Sequence, residues 1–169
     1  MTYFFAGIKH SGKSTHAKLF AKYKKLAFYD LDKYIEKNIK YDSVRQLYKN
    51  EGKKAFMIEE YNCLKKLLDE DSRDKVIALG GGICENTNAF ELCDNLIFLD
   101  IDEKTLFNRI NFLGLPPFLE EDPINQFHQL YIKRRPLYLN NAKLVIKLDD
   151  MKIDDAFKIV KENIESWEK

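Results

Sequence analysis

The feature that most constrains this chain is a glycine-bounded loop that directly follows an apolar run near the N-terminus. The apolar run is Tyr3 to Ala6, and the loop reads GIKHSGKST from Gly7 to Thr15, which fits G-x-x-x-x-G-K-[ST]. Such a loop needs a strand before it and a helix after it, because backbone N–H groups and the helix N-terminus together form an anion site. The motif therefore predicts an α/β domain that binds a nucleoside triphosphate.

The polar positions of this phosphate loop have expected roles toward ATP. Lys13 can reach the β- and γ-phosphates, and the hydroxyl of Ser14 can bind Mg²⁺. Gly7 and Gly12 allow a phosphate to approach the backbone closely. The ATP-binding residues predicted from the loop are Gly7, His10, Ser11, Gly12, Lys13, Ser14 and Thr15.

Short apolar runs alternate with longer amphipathic stretches along the rest of the chain. Strands that are apolar on both faces and separated by helices predict a parallel sheet covered on both sides. We therefore expect a three-layer α/β fold with a five-stranded parallel sheet, helices on both faces, in one domain over residues 1–169. The predicted strands are Tyr3–Ala6, Leu26–Tyr29, Val76–Leu79, Leu96–Leu99 and Leu144–Ile146. The predicted helices span about 13–22, 43–50 and 54–69, begin near Asp102 and Asp122, and end with 153–167. In the helix over 54–69, helical periodicity places on one face Phe56, Glu60, Cys63, Leu64 and Leu67.

The composition narrows the class of protein further. With 28 Lys and Arg against 27 Asp and Glu, the net charge of +1 provides no overall positive field to attract nucleic acid or acidic lipid. No apolar run approaches the roughly 18 residues of a membrane helix, and no secretory signal pattern is present. The three cysteines lack C-x-x-C spacing, which argues against a disulfide framework or a zinc site. We expect a cytoplasmic monomer with no nucleic-acid or membrane partner.

Two polar or glycine-rich clusters follow predicted strands, where ligands bind in parallel sheets. Asp30 and Asp32 would point the same way in an extended segment. One carboxylate could then hold Mg²⁺ through water, and the other could orient an acceptor hydroxyl or take its proton. Alternatively, one aspartate caps the next helix. Gly80 to Gly82 could present backbone to a ligand or form a plain turn.

A third cluster is Arg134-Arg135-Pro136-Leu137-Tyr138, at the end of the helix that begins with Asp122-Pro123. An arginine at a helix C-terminus can simply complement the helix dipole. If it points into a cleft, it can instead bind a carboxylate through two parallel hydrogen bonds.

Taken in this order, these motifs resemble the shikimate kinase family, small P-loop kinases that phosphorylate the 3-hydroxyl of shikimate with ATP and Mg²⁺. The family's D-x-D is similar to Asp30–Asp32, and its E-G-x-x-x-F-R is similar to Glu51–Met57. Its G-G-G is similar to Gly80–Gly82, and its R-x-P-L-Y is similar to Arg134–Tyr138.

The resemblance implies the three-layer P-loop kinase fold and a role for each matching residue. It places Asp30 in the magnesium shell, beside Ser14 of the phosphate loop. It makes Asp32 the candidate base and a ligand of the shikimate hydroxyls, so that Lys13 and Asp32 are the expected catalytic residues. Arg109 corresponds to an arginine that stacks on adenine. The substrate-binding residues implied are Asp32, Gly80, Gly81, Gly82 and Arg134.

The chain departs from the family pattern at two functional positions. Met57 stands where the family has a second carboxylate-binding arginine, a loss that typically costs about 2–5 kcal/mol. Pro116 stands where the arginine of the lid, about residues 112–124, meets the transferring phosphate. His10 also replaces a common family glycine. The cations that could compensate are Lys9, Lys53, Lys54, Arg45 and Arg135.

The leading hypothesis is ATP- and Mg²⁺-dependent phosphorylation of shikimate. Met57 and Pro116 leave two alternatives open. One is a P-loop kinase of another small polyol or hydroxy acid, and the other is a nucleotide-binding relative that transfers no phosphate.

Overall fold

A computed structural model describes residues 1–114, 119, 121–148 and 150–169. Within them, the strands are β1 (Thr2–Ala6), β2 (Ala27–Asp30), β3 (Lys75–Ala78), β4 (Leu96–Asp100) and β5 (Leu144–Lys147). These five parallel strands form one sheet in the order β2-β3-β1-β4-β5, which confirms the predicted sheet. Every residue of β3 and β4 is buried, because helices cover the sheet on both faces.

The helices of the described residues are α1 (Lys13–Lys24), α2 (Leu31–Asn38), α3 (Val44–Glu70), α4 (Thr87–Phe90), α5 (Glu103–Leu113), α6 (Pro123–Asn141) and α7 (Ile153–Trp167), and a 3₁₀ turn covers Ile83–Glu85. α1, α3, α5, α6 and α7 lie where helices are predicted, whereas α2 and α4 lie where none is predicted. α1 and α7 contact each other and the sheet, while α6 contacts α5 and β4. Among the described residues, none of the helices combines the length and the apolar character that a membrane span requires.

The two helices predicted over 43–50 and 54–69 are the two halves of α3, which is interrupted at Gly52. Its φ of 86° and ψ of 177° lie outside the helical region, in a conformation that glycine adopts far more readily than other residues. The side chain of Ser43 caps the first half by accepting a hydrogen bond from the N–H of Gln46. The second half turns Glu60, Cys63 and Leu64 into the protein interior, as the periodicity predicts.

The strand order and register bring the clusters of the sequence together. Phe5 of β1 and Asp30 of β2 both pair with Ala78 of β3, so these three neighbouring strands end at the same level. The phosphate loop, α2 and the triple glycine begin immediately after those positions. The carboxyl edge of β2, β3 and β1 therefore carries all three.

Candidate active site

The phosphate loop has the conformation that its glycines and polar residues require. The Ser11 N–H donates to the carbonyl of Ile8 at 3.0 Å, and α1 begins at Lys13. A Cβ on Gly7 would collide with the Ser11 hydroxyl. His10 adopts a left-handed φ of 66°, and histidine is one of the few residues other than glycine that is enriched there. The loop therefore accepts His10 in place of the common family glycine.

The ammonium group of Lys13 interacts electrostatically with both Asp32 and Asp30. Burial lowers the pKa of Lys13, and the negative charges of Asp32 and Asp30 oppose that shift. The side chain lines the main cleft of the protein, together with Asp32. A lysine at the start of α1 that lines the cleft is placed to neutralise charge on a bound triphosphate.

The expectation that residues 30–32 form an extended segment is wrong, because β2 ends at Asp30 and α2 begins at Leu31. Asp30 is the N-cap of α2 and accepts a hydrogen bond from the Lys33 N–H at 3.3 Å, which is the capping alternative. Asp32 lies in the first turn of α2 and faces the cleft. Burial raises the pKa of Asp32, although Lys13 opposes the shift.

The triple glycine is more than a turn, because each of its residues lies against a functional group. A Cβ on Gly80 would lie 3.0 Å from Asp32 Oδ1, and one on Gly81 would lie 3.2 Å from the backbone nitrogen of Lys9. A Cβ on Gly82 would lie 3.1 Å from Nη2 of Arg134. Side chains at these positions would separate the aspartate, the phosphate loop and the arginine.

Arg134 faces the cleft, although the prediction that it ends its helix is wrong. α6 continues to Asn141 and passes through Pro136, so the helix dipole does not explain the arginine. Nη1 of Arg134 donates to the carbonyl of Gly81 at 3.2 Å, and Nε donates to Glu85 Oε1 at 2.7 Å. These contacts fix the guanidinium beside the triple glycine.

Glu60 is a site residue that sequence reasoning placed only on the buried face of a helix. Only 2% of its surface is exposed, and a Cβ on Gly80 would lie 3.3 Å from its Oε1. Asn86 Nδ2 donates to Glu60 Oε2 at 2.9 Å and to the carbonyl of Met57 at 2.8 Å. Burial raises the pKa of Glu60 to about 7. The sequence signal that could have identified Glu60 is a glutamate on an otherwise apolar face of a helix.

The main cleft has a volume of about 510 Å³ and brings together the predicted donor and acceptor residues. Leu119 is buried and also lines it. Pro116, the lid position, lies outside the described residues, so the lid over about 112–124 stays a prediction. The cleft-lining residues that the sequence singled out are His10, Gly12, Lys13, Ser14, Thr15, Asp32, Gly81, Gly82 and Arg134.

A second cavity of about 290 Å³ shares Gly12 and Thr15 of the phosphate loop with the main cleft and is also lined by Arg109. Nη1 of Arg109 donates to the carbonyl of His10 at 3.3 Å, and Nη2 donates to Asp150 at 3.3 Å. This location fits the base of a nucleotide whose phosphates occupy the loop.

The cations considered as replacements for the missing arginine have different surroundings. Lys9 lines the main cleft. Arg135 is bound to Asp100 by two hydrogen bonds of 2.8 Å, and Lys53 is bound to Glu85 at 2.7 Å. Lys54 and Arg45 are exposed.

A phosphate loop and an acceptor pocket at one edge of a parallel sheet define a P-loop phosphotransferase that acts on a small molecule. The shikimate kinase family model matches residues 9–165. A shikimate kinase of Staphylococcus aureus (strain MSSA476) is 32% identical over 135 residues, covering 78% of this chain and 75% of that protein. The chain belongs to the shikimate kinase family.

Solved structures of shikimate kinases have a similar fold. The crystal structure of shikimate kinase from Bacteroides thetaiotaomicron is similar with a TM-score of 0.80 and 26% identity, covering 98% of both chains. The shikimate kinase from Acinetobacter baumannii in complex with shikimate shares the fold, with a TM-score of 0.85 at 24% identity, over 98% of this chain and 93% of that one.

Proposed function

We propose that this chain transfers the γ-phosphate of ATP to the 3-hydroxyl of shikimate, acting as a monomer. The observation that carries the proposal is that Lys13, Asp32 and Arg134 line one cleft. A lysine, an aspartate and an arginine around a single cleft support the roles of phosphate-neutralising, hydroxyl-orienting and carboxylate-binding group. Membership of the shikimate kinase family supports the choice of acceptor.

The donor side binds ATP mainly through backbone. The N–H groups of the phosphate loop and the start of α1 bind the phosphates, and Lys13 neutralises charge that develops on the β- and γ-oxygens. Ser14 and Asp30 offer oxygen atoms of the kind that Mg²⁺ binds. Ser14 is exposed at the start of α1, and the Asp30 carboxylate is close enough to influence the pKa of Lys13. When bound, Mg²⁺ supplies further charge neutralisation.

The residues of the acceptor side orient the hydroxylated carbon ring of shikimate. Asp32 accepts a hydrogen bond from the 3-hydroxyl and takes its proton as the phosphoryl group transfers. The raised pKa that burial gives Asp32 makes it a better proton acceptor than an exposed aspartate. Arg134 binds the carboxylate, while the triple glycine lets the ring lie against backbone.

A second candidate is a kinase of another small polyol or hydroxy acid. Met57 favours it, because an uncharged side chain replaces the second carboxylate-binding arginine of the family. The retained Lys13 and Asp32 argue against a relative that only binds nucleotide.

The test is a coupled assay of ADP release with ATP, Mg²⁺ and either shikimate, quinate, gluconate or no acceptor. We expect turnover that saturates with shikimate and exceeds the rate with every other compound. A rate at millimolar shikimate no higher than the rate without acceptor would overturn the proposal. Faster turnover with one of the other acids would favour the second candidate.

A further inference from the structure

Glu85, in the 3₁₀ turn after the triple glycine, is surrounded by three cations. Its Oε1 accepts from Nε of Arg134, and its Oε2 accepts from Nζ of Lys53 and Nζ of Lys133, each at 2.7 Å. Only 11% of the Glu85 side chain is exposed. Burial raises the pKa of Glu85, but hydrogen bonds from Lys133, Lys53 and Arg134 lower it to about 2. We call these four residues the Glu85 cluster.

The Glu85 cluster is positive despite its central carboxylate. Three cations and one anion leave two positive charges in excess. The cations come from two helices, Lys53 from α3 and the other two from α6, and a shared carboxylate holds them together. The cluster adjoins the acceptor side of the cleft, because Arg134 lines the cleft.

The cluster also fixes which edge of Arg134 is available. Glu85 occupies Nε, and the carbonyl of Gly81 occupies Nη1. Nη2 lies against Gly82, where a Cβ would be only 3.1 Å away. The end of the guanidinium is therefore presented at the backbone surface on which the acceptor lies.

We propose that the Glu85 cluster positions Arg134 and makes this kinase selective for a negatively charged acceptor, in place of the arginine that is missing at Met57. Lys53 lies one helical turn before Met57 on α3, so the same helix supplies a positive charge near the position of the missing arginine. Glu85 acts by holding Arg134 in position, and the two lysines act through their positive charges. None of the three replaces the contact of Arg134 with the acceptor. The inference rests on the proposed function and concerns how the same pocket recognises the acid.

The field of the lysines is moderate in size. The side chains of Lys53 and Lys133 are 49% and 60% exposed, so water and salt screen their charges. Their contribution should therefore weaken as ionic strength rises, in contrast to hydrogen bonds inside the cleft.

The test compares shikimate with its methyl ester, which keeps the ring and hydroxyls but carries no charge. KM is measured for shikimate, and the ester is measured as a substrate or as a competitive inhibitor. For Lys53→Gln and Lys133→Gln, we expect the affinity ratio to shift against shikimate by about threefold each, and by about tenfold in the double variant. Lys65→Gln, an exposed lysine on the same helix, should leave the ratio unchanged.

Glu85→Gln separates positioning from charge, because the two effects have opposite signs. The variant gains positive charge, so a purely electrostatic role predicts a lower KM for shikimate. Loss of the tether predicts a higher KM for shikimate, by about tenfold, and a smaller rise for the ester. We expect the second result.

The outcomes that overturn the inference differ from those that overturn the proposed function. An unchanged ratio in the lysine variants, or equal weakening for acid and ester, would mean that the cluster is only structural. A fall in KM for Glu85→Gln would remove the positioning role. Absence of shikimate-dependent turnover in the parent chain would overturn the proposed function, and the inference with it.

Discussion

The donor side of the cleft is one continuous segment, Gly7 to Thr15, whereas the acceptor side combines Asp32 of α2 and Arg134 of α6. Glu60 of α3 and Glu85 of the 3₁₀ turn lie beside these two residues. The donor side acts mainly through backbone N–H groups that any residue can supply. The acceptor side acts through charged groups that must be present and correctly paired.

This difference explains why the two sides respond differently to departures from the family pattern. His10 changes the donor side, but its backbone still adopts the left-handed conformation that the loop requires. On the acceptor side, Met57 lacks the charge of the family's arginine, and the side chain that donates to the buried Glu60 is the neutral amide of Asn86. A backbone site tolerates a new side chain, while a side-chain site loses an interaction.

The largest effect should come from removing Lys13, the phosphate-loop cation that faces the β- and γ-phosphates in the proposed function. Lys13→Met should lower kcat by about 10³-fold or more, because charge on the transferring phosphate loses the cation that neutralises it. ADP release at saturating shikimate measures this. The control is Lys18→Met, an exposed lysine on the same helix, and a loss under tenfold for Lys13→Met would contradict the role.

Glu60→Gln tests whether burial keeps a proton on the carboxyl group of Glu60, on the acceptor side of the cleft. Because the pKa of Glu60 rises from 4.5 to about 7 on folding, the folded chain keeps a proton that the unfolded chain releases above pH 4.5. The parent chain should therefore lose stability relative to the variant as the pH rises from 5 to 8, by roughly 2–3 kcal/mol.

Urea denaturation of both proteins at several pH values between 5 and 8 measures that difference. Asn86 can still donate to the glutamine oxygen, so the comparison isolates the charge of the carboxyl group. A stability difference that does not change with pH would show that Glu60 ionises as freely in the folded chain as in the unfolded one.

Met57→Arg should repair the acceptor side. Residues three apart on a helix are neighbours, so the new guanidinium would pair with Glu60 and also reach the carboxylate of the acceptor. KM for shikimate should fall by about tenfold, and the pKa of Glu60 should fall as well. Met57→Leu, which keeps apolar packing, should leave KM unchanged. Equal KM values for all three proteins would place this position outside the acceptor site.

His10→Gly should have the smallest effect, because it restores a family residue at a position that acts through its backbone. Glycine adopts a φ of 66° without strain, but it also gains freedom in the unfolded chain. KM for ATP and kcat should each change by about twofold or less. A tenfold loss would show that the imidazole itself contacts the nucleotide.

The local features of the fold were predictable from the sequence, because they depend on short-range chemistry. Apolar runs marked all five strands, and Gly52 separated the two halves of α3 at the predicted place. Two local predictions were wrong. The segment after β2 turns into a helix at Leu31, and α6 tolerates Pro136 in its interior.

The charge pairs of the acceptor side could not be predicted in the same way. Glu85 binds Lys53 and Lys133, which are 32 and 48 residues away along the chain, so no motif spacing connects them. Glu60 likewise meets Asn86 only after α3 packs beside the triple glycine. Sequence patterns identified the donor site and Asp32, while tertiary packing determined how the carboxylate site is assembled.

The most direct test of the central claim is shikimate-dependent ADP release by the parent chain and by Asp32→Asn. The claim predicts clear turnover in the parent and a loss of about 10²- to 10⁴-fold in kcat for the variant, with KM for ATP nearly unchanged. Equal kcat values would contradict the claim that Asp32 orients the acceptor hydroxyl and takes its proton.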